Sequence, residues 1–437
     1  MGSDWPVMFL DSAPLEIIDG DRGKNYPKQT EFSSSGHCLF LNAGNVTING
    51  FNFSDCAFVT EKKDSLLRKG KLIRKDVILT TRGTVGNAAF FDDTVPFKHI
   101  RINSGMVILR PLPSELLPRY LYLFMRSPDF HSQVLSLRTG SAQPQLPIRD
   151  IKKIQIPIPP LPDQRAIAHI LGSLDDKIEL NRRMNKALEA TARAIFKSWF
   201  VDFAPVRAKA EGRPTGLPDD IAALFPDSFE GSELGEIPKG WEVGSFRDFI
   251  SQRTERVGSR KAVVLSAIAS GELAKSDDYF TKQVYSKKTE KYLAVEQWDF
   301  AYNPSRINIG SIGMLEEPIL GGVSPVYVVV RPRFMYRWFL EFSLRLPSTK
   351  EWINALSSGS VRQSLSYSAF SSIPCVMPLE ETIERFNRLW LELLDCIKSY
   401  ERESESLAAI RDTLLPKLIS GELRIPDAEK FVEEAGL

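Results

Sequence analysis

Long apolar runs, paired cysteines and clustered histidines are all missing from this sequence of 437 residues. No segment approaches the roughly 18 consecutive apolar residues that a membrane span needs, which excludes an integral membrane protein. The N-terminus has no basic region followed by an apolar core, so we expect a cytoplasmic protein. Because no cysteines have CxxC spacing, we expect four reduced thiols, at Cys38, Cys56, Cys375 and Cys396.

The motifs of common catalytic sites are missing as well. The four histidines do not have the spacing of zinc ligands. The chain contains no phosphate-binding loop of the form GxxxxGKS or GxxxxGKT, no dinucleotide fingerprint GxGxxG, and neither HExxH nor GxSxG. We therefore predict a non-catalytic chain that holds no metal and no cofactor of its own.

The composition is that of an ordinary globular protein, with 43% hydrophobic and 25% charged residues. At about 150 residues per domain, the length suggests two or three domains. The formal net charge of +1 conceals two mildly basic blocks, which could face a polyanion such as nucleic acid. A solvated surface explains charges this small nearly as well, so charge alone does not identify a partner.

The chain repeats itself once. Five positions recur at a constant offset of 219 residues, and they pair Gly140 with Gly359, Ser141 with Ser360, Leu146 with Leu365, Ile154 with Ile373, and Pro159 with Pro378. Further upstream, an apolar run leads twice into a polar turn in which glycine follows arginine by four residues, first at Arg82 and Gly86 and then at Arg306 and Gly310. The sequence is therefore close to a tandem duplication.

Two heptad seams follow the repeated blocks and share the same offset. The first comprises Ile167, Leu171, Leu174, Ile178, Asn181, Asn185, Leu188, Ala192, Ile195 and Trp199, and the second comprises Phe386, Trp390, Leu393, Ile397, Tyr400, Ser404, Leu407, Arg411, Leu414 and Leu418. Steps of four and three residues are typical of coiled-coil helices. Each helix would run for about 40 residues, or roughly 60 Å.

Both seams turn polar in the middle, so pairing the helices would place polar layer against polar layer and lock the register. We expect an antiparallel pair, because each globular block precedes its helix and a parallel pair would crowd both blocks at one end. Two independent amphipathic helices, each packed on its own domain, are the alternative.

The resulting organisation is an α+β fold with two related globular domains separated by the helix pair. Short strands and helical stretches mix in both globular blocks. The predicted boundaries are 1–160 for the first globular domain, 161–203 for the first helix, 204–240 for a surface connection, 241–378 for the second globular domain, and 379–437 for the second helix with a C-terminal tail.

The segment Pro160–Gly212, which contains LPDQRAIAHILGSLDDKIELNRRMNKALEATARAIFKSWF, closely resembles the central conserved region of specificity subunits of type I restriction-modification enzymes. Three further segments agree with that family: TGSAQPQL, LGEIPKGWEV and LLPKLISGELRIP. The resemblance covers the whole chain in architecture. The globular blocks correspond to the variable target-recognition domains of the family, so base-contacting residues cannot be carried over.

The resemblance implies that each globular domain reads one half of a bipartite site in double-stranded DNA, while the helices set the spacer. It also implies that the helices dock methyltransferase subunits, which use S-adenosylmethionine. Restriction subunits that translocate DNA with ATP and Mg²⁺ would join the restricting assembly. This chain would supply the sequence specificity and none of the chemistry.

Elementary recognition chemistry suggests the contacts. The candidate base contacts lie in polar turns, because arginine can bind guanine and asparagine can bind adenine. They are Arg82, Thr84, Asn303, Ser305, Arg306 and Ser311. Two loops, Arg138–Gln145 and Ser358–Gln363, have a composition suited to phosphate and sugar contacts through Arg138, Ser141, Gln143, Gln145, Ser360, Arg362 and Gln363. For each arginine, an ion pair on the protein surface is the competing interpretation.

Three aromatic residues lie at the end of the first helix, Trp199, Phe200 and Phe203. They are candidate docking anchors for another subunit, and core packing at the helix end is the alternative.

Two other functions compete with DNA recognition. A coiled-coil adaptor that joins protein partners would have no salt-sensitive affinity for DNA. A self-contained methyltransferase lacks its motifs here, since Tyr302-Asn303-Pro304-Ser305 only partly matches the Asn-Pro-Pro-aromatic sequence.

Inserting one heptad into both helices at matching positions should lengthen the pair by about 10.5 Å and keep the seam. At about 3.4 Å per base pair, the preferred spacer should grow by roughly three base pairs. The measurement is methylation of a site library in which the half-sites are constant and the spacer length varies. An active variant with an unchanged spacer preference would show that the helices do not set this distance.

Overall fold

The computed structural model describes residues 5–140, 143–279, 289–357 and 364–434, with side chains through 430. The chain divides into two compact units. Unit 1 comprises Met1–Arg183 and Tyr400–Leu437, and unit 2 comprises Met184–Ser399. Over the described ranges, every helix is too short or too polar to cross a lipid bilayer. All four cysteines are free, in agreement with the expected thiols.

Unit 1 is built on short strands. They are β1 (Val7–Phe9), β2 (Leu15–Asp19), β3 (Cys38–Phe40), β4 (Val46–Thr47), β5 (Gly50–Phe51), β6 (Phe58–Val59), β7 (Val77–Thr80), β8 (Ala88–Phe90), β9 (Ile100–Arg101), β10 (Met106–Pro111) and β11 (Gln155–Pro157). The central sheet has the antiparallel order β2-β10-β7-β8. A smaller sheet pairs β3 with β6 and, in parallel, with β9.

The helices of unit 1 follow or precede these strands. They are α1 (Glu61–Leu66), α2 (Pro118–Phe124), α3 (Pro128–Leu137), α4 (Ile148–Ile151) and the beginning of the long helix α5 (Leu161–Phe200). Side-chain caps explain two of the starts. Thr60 Oγ1 accepts from the amide of Lys63 at 3.2 Å, and Ser127 Oγ accepts from the amide of Phe130 at 3.2 Å.

Alternation along the central strands divides the core of unit 1 into two layers, as expected for side chains that point to opposite faces of a sheet. Leu79 and Leu109 pack with the helices in one cluster. Ile78 and Ile108 lie on the other face, in a cluster with Leu39 of the smaller sheet. The central sheet is therefore covered on both sides.

Unit 2 contains more strands than helices. Its strands are β12 (Phe229–Ser232), β13 (Gly235–Pro238), β14 (Glu242–Ser245), β15 (Ile250–Arg253), β16 (Val263–Ala267), β17 (Leu273–Lys275), β18 (Leu293–Val295), β19 (Phe300–Tyr302), β20 (Ile312–Met314), β21 (Gly321–Val323), β22 (Val328–Pro332) and β23 (Pro374–Met377). Its helices are α6 (Ala204–Ala210), α7 (Asp219–Ala222), α8 (Ser276–Tyr279), α9 (Arg337–Leu344), α10 (Pro347–Leu356) and α11 (Tyr367–Ser371).

The topology of unit 2 repeats that of unit 1, which confirms the internal duplication. The sheet β15-β22-β19-β20 has the order of β2-β10-β7-β8, and β14 pairs with β23 as β1 pairs with β11. A parallel pair, β16 with β21, corresponds to β3 with β9. Both units are mixtures of helix and antiparallel sheet, so the α+β prediction is also confirmed.

The segment 204–240, expected to be a surface connection, is part of unit 2 and packs into its fold. It forms α6, α7 and the hairpin of β12 and β13. Val206, Phe225 and Ile237 are buried, and the first two belong to the main core of unit 2. Its many proline, glycine and acidic residues suggested a loop, but its few apolar residues bury enough surface to hold it on the fold.

The long helices α5 and α12 (Glu380–Ile419) form an antiparallel pair, as predicted, and α13 (Ile425–Glu434) follows them. Within unit 1, Asp175 binds Arg411 at 2.9 Å. Asn181 follows Asp175 in α5, and its Nδ2 donates to Oε2 of Glu403, which precedes Arg411 in α12, at 2.8 Å. The contacts thus advance along α5 as they go back along α12, which makes the pair antiparallel. Within unit 2, Asn185 Nδ2 donates to the carbonyl of Ile397 at 3.4 Å. Every predicted seam position is buried or half-buried.

An ion pair between a buried aspartate and a partly exposed arginine recurs at the same place in both units. Asp76, 1% exposed, binds Arg110 through two hydrogen bonds of 2.8 Å, and Asp299, 0% exposed, binds Arg331 at 2.6 and 3.0 Å. Each aspartate also accepts the backbone amide three residues earlier. The residue before each aspartate has a positive φ, 78° at Lys75 and 72° at Trp298. The duplication therefore preserves an unusual turn together with the charge pair that holds it.

Replacing Asp299 with alanine should lower the free energy of unfolding of unit 2 by roughly 1–3 kcal/mol, because the half-exposed guanidinium of Arg331 loses two charge-assisted hydrogen bonds and the amide of Glu296 loses its acceptor. Six of the seven tryptophans lie in unit 2, so tryptophan fluorescence during urea denaturation reports on it. The matched control is Asp220→Ala, which removes an exposed carboxylate 3.8 Å from Arg385 and should cost less than about 0.5 kcal/mol. Equal losses in the two variants would contradict this interpretation.

Candidate nucleic-acid interface

Three loops of unit 1 meet at the end of the central sheet. They are the turn 81–87 after β7, the loop 102–105 before β10, and the loop 138–146 after α3. The amide of Thr81 donates to the carbonyl of Gly105 at 2.8 Å, and the amide of Leu146 donates to the carbonyl of Thr81 at 2.9 Å. These backbone hydrogen bonds bring the two sets of predicted contacts together on one edge.

The turn after β7 is held from inside by Thr80. Its Oγ1 donates to the carbonyl of Thr84 and accepts the amide of Asn87 at 3.0 Å. The turn uses positive φ angles of 76° at Gly83 and 96° at Gly86, which glycine adopts without strain. Arg82 and Thr84 are therefore exposed on a backbone whose path is fixed.

The loop after α3 is closed at its base by backbone hydrogen bonds. Thr139 and Gln145 exchange two backbone hydrogen bonds of 2.8 Å, and Gln145 also forms an isolated bridge with Arg82. Arg138 and Gln143 are exposed, and Gln145 is half-buried. Toward described residues, neither Arg82 nor Arg138 makes a side-chain hydrogen bond or an ion pair. Both guanidinium groups are thus available to an anionic partner.

Unit 2 repeats this arrangement with different side chains. The amide of Leu365 donates to the carbonyl of Pro304 at 3.1 Å, as Leu146 does to Thr81 in unit 1. The turn 303–311 contains a short 3₁₀ helix, Ile307–Ile309. Gly310 caps the C-terminus of this helix with a φ of 90°. Ser305 and Arg306 are exposed, and Arg306 has no side-chain hydrogen bond or ion pair within the described ranges.

Two of the predicted contacts in this turn have structural roles instead. Ser311 is 3% exposed and its hydroxyl donates to the carbonyl of Ala267 at 2.7 Å, so its prediction as a DNA contact is wrong. Asn303 is half-buried and its Oδ1 accepts the amide of Ser305 at 3.1 Å. The hydroxyl of Tyr327 also hydrogen-bonds the Asn303 side chain, and burial raises the pKa of Tyr327, which keeps that hydroxyl protonated. Asn303 therefore shapes the turn.

Four predicted contacts lie outside the described residues: Ser141, Ser360, Arg362 and Gln363.

In unit 1, an ion network joins the segment between α2 and α3 to the helix pair. Asp175 of α5 binds both Arg126, which lies between α2 and α3, and Arg411 of α12. The Arg126 guanidinium also stacks on Tyr122, 5.3 Å from the ring centre. Arg126 and Arg411 line a pocket of about 490 Å³ that reaches Asn87 in the turn after β7.

Comparisons with known proteins give a consistent result. Residues 4–190 match the family of type I restriction modification DNA specificity domains. The specificity subunit of the type I restriction enzyme HindI from Haemophilus influenzae is 26% identical over 96% of this chain and 100% of that protein. The chain is therefore similar to a type I specificity subunit along nearly its whole length. The MjaIX specificity subunit from Methanocaldococcus jannaschii is 24% identical over 80% of this chain and 78% of that protein.

A solved structure of the family has the same fold. The type I S subunit from M. genitalium superimposes with a TM-score of 0.52 over 95% of this chain and 96% of that chain, at 16% sequence identity. At this identity the likeness concerns the fold alone. Loop residues of this chain therefore have to be assigned from its own geometry.

The three aromatic residues predicted as docking anchors belong to the core of unit 2. Trp199, Phe200 and Phe203 are 2%, 7% and 8% exposed. Their ring centres lie 5.2 Å from Phe225, 5.6 Å from Phe386 and 5.7 Å from Trp241, respectively. The alternative of helix-end packing is therefore correct, because these rings complete an aromatic cluster that leaves no free face for a partner.

Sequence reasoning missed apolar side chains outside the seam of the helix pair. In unit 1, Leu180 of α5 is 50% exposed, and in unit 2, Leu391 of α12 is 38% exposed. Both could have been found as leucines that the four-three spacing leaves unassigned. Within the described part of the chain, no group of three or more histidine, cysteine or acidic side chains is placed to hold a metal ion.

Replacing Gly310 with alanine should distort the turn that carries Arg306. The added Cβ would lie 2.7 Å from the carbonyl oxygen of Ala269, and φ is positive, so we expect a loss of about 2–3 kcal/mol in the stability of unit 2. Gly258→Ala is the matched control, because φ is 62° there and no atom lies within 4 Å of the new Cβ. It should cost about 1 kcal/mol. Tryptophan fluorescence in urea distinguishes the two, and equal losses would mean that the close approach to Ala269 is unimportant.

Proposed function

We propose that this chain is the sequence-specific DNA-recognition subunit of a type I restriction-modification enzyme, with each unit reading one half of a bipartite site. The observation that carries the proposal is the repeated loop frame at the end of each central sheet. The bonds from Leu146 to Thr81 and from Leu365 to Pro304 hold equivalent loops. A duplicated protein with one such edge per unit can read a split site as a dimer reads two half-sites.

The exposed side chains divide into two kinds of contact. Arg82 and Arg306 lie on rigid turns and can present a two-pronged donor to a guanine edge in the major groove. Arg138 and Gln143 lie on the longer loop and suit phosphate and sugar groups, which fix position without reading sequence. Ser141, Ser360, Arg362 and Gln363 belong to the same loops and are proposed as contacts of this second kind.

The helix pair would set the distance between half-sites and dock the methyltransferase subunits. Exposed leucines such as Leu180 and Leu391 offer apolar surface for that docking in place of the buried aromatic residues. The methyltransferase subunits would bind S-adenosylmethionine, and restriction subunits would bind ATP and Mg²⁺. In this assignment the target-recognition domains are 1–160 and 241–378, and the conserved helices begin at 161 and 379.

Arg82→Ala and Arg306→Ala should each weaken recognition of a different half-site, by about 1–3 kcal/mol if the arginine contacts a base. The measurement is binding of the full chain with its methyltransferase subunits to a specific duplex and to a random duplex, at several salt concentrations. The control Arg213→Ala removes the same charge at a residue paired with Glu211 outside the recognition loops.

Three results are distinguishable. A loss confined to the specific duplex supports a base contact. Equal losses on both duplexes, with a shallower dependence on salt, identify a phosphate contact. An assembled wild-type complex with no salt-sensitive DNA affinity would contradict the proposal and favour an adaptor.

A further inference from the structure

Two branched apolar side chains are exposed at the recognition edge of unit 2. Ile309 is 59% exposed and Val326 is 66% exposed. The amide of Ile309 donates to the carbonyl of Arg306 at 3.1 Å, so Ile309 lies one turn from the arginine. Val326 precedes Tyr327, whose hydroxyl hydrogen-bonds Asn303 in the same turn as Arg306. The sheet register, in which Tyr302 pairs with Val328, brings these two turns side by side.

Both side chains are held outward by the backbone around them. Ile307 is 4% exposed and anchors the 3₁₀ turn in the core, while Gly310 closes it against Ala269. The amide of Tyr327 donates to the carbonyl of Ser324 at 2.9 Å, which makes a tight turn with Val326 near its tip. Neither side chain can collapse onto the protein without breaking these turns.

The fold does not require apolar residues at these places. In unit 1, Met106 pairs with Thr80, so the loop 102–105 corresponds to the loop that carries Val326. That loop reads Asn103-Ser104-Gly105, and Asn103 Oδ1 accepts the amide of Gly105 at 2.8 Å. Val85 precedes Gly86 as Ile309 precedes Gly310, but it is half-buried and packs against the core of unit 1.

Single exposed apolar residues are ordinary on protein surfaces. Here two of them lie on adjacent rigid turns beside an exposed arginine. This combination is complementary to the edge of a base pair that presents both an apolar group and hydrogen-bond acceptors. In the major groove the apolar group is the C5-methyl group of thymine, and neighbouring acceptors suit a guanidinium.

We propose that Ile309 and Val326 contact thymine methyl groups, so that the half-site read by unit 2 contains at least one thymine recognised through its methyl group. This inference rests on the proposed function and adds a specificity determinant to it. Arg306 would supply the hydrogen bonds, and the two apolar side chains would supply the discrimination between thymine and other bases.

The test replaces thymine with uracil, which removes the methyl group and leaves base pairing intact. The recognised site is first selected from randomised duplexes by the full chain with its methyltransferase subunits. Each thymine of both half-sites is then changed to uracil singly. We expect at least one replacement in one half-site to weaken binding about four-fold, the ratio that corresponds to about 0.8 kcal/mol for one buried methyl group.

The same series with Ile309→Ala and Val326→Ala completes a double-mutant cycle. At least one of these variants should bind the thymine and uracil duplexes equally well. Leu234→Ala, which shortens a 41% exposed leucine in the hairpin of β12 and β13, should keep the discrimination.

The inference is overturned if no thymine is sensitive to the replacement or if both variants still discriminate. If both variants weaken binding to the two duplexes equally, they still discriminate, and this form of the second outcome would identify the side chains as wedges between bases. In each of these cases the selected site still supports the proposed function. Failure to select any site would refute the proposed function itself, and this inference with it.

Discussion

Burial of the two long helices against the central sheets is the interaction on which the rest of the structure depends. In unit 1, Leu171 and Leu414 share one core with Leu79 of the sheet, and in unit 2, Phe196 and Phe386 share one core with Phe300. Each fully buried side chain of this kind contributes about 1.5–3 kcal/mol. Neither globular block has a complete core without both helices, so each central sheet is fixed to the helix segments of its own unit.

The two repeats share their central sheets and the ion pairs beside them, but they differ in the side chains at the tips of the loops. The ion pair of Asp299 with Arg331 repeats that of Asp76 with Arg110, because a charge buried beneath a sheet cannot be lost alone without a large penalty. The loop tips carry no such constraint, since their side chains are exposed. The exposed tips of the two halves can therefore vary independently while the architecture stays the same.

The architecture could be predicted because its signals are local and periodic: the offset of 219 residues and the seam spacing determine the duplication and the helix pair. The roles of single side chains depend on distant segments and could not be predicted. Ser311 has the sequence context of an exposed turn residue, but the end of β16 lies against it. Trp199 has the context of an exposed anchor, but Phe225 and Phe386 pack around it. Exposure of Ile309 follows from the burial of Ile307 two residues earlier, which composition does not reveal.

The division of the chain has a consequence for its synthesis. Unit 2 is continuous, whereas unit 1 needs the segment from Tyr400 to the C-terminus. During translation, the first globular block therefore leaves the ribosome long before Leu407 and Leu414 exist to cover its seam, and unit 2 can close before it. A product truncated near Ser399 would display the bare apolar stripe of α5. Such a product would expose that stripe to chaperones and proteases, because the part of α12 that covers it in unit 1 would be missing.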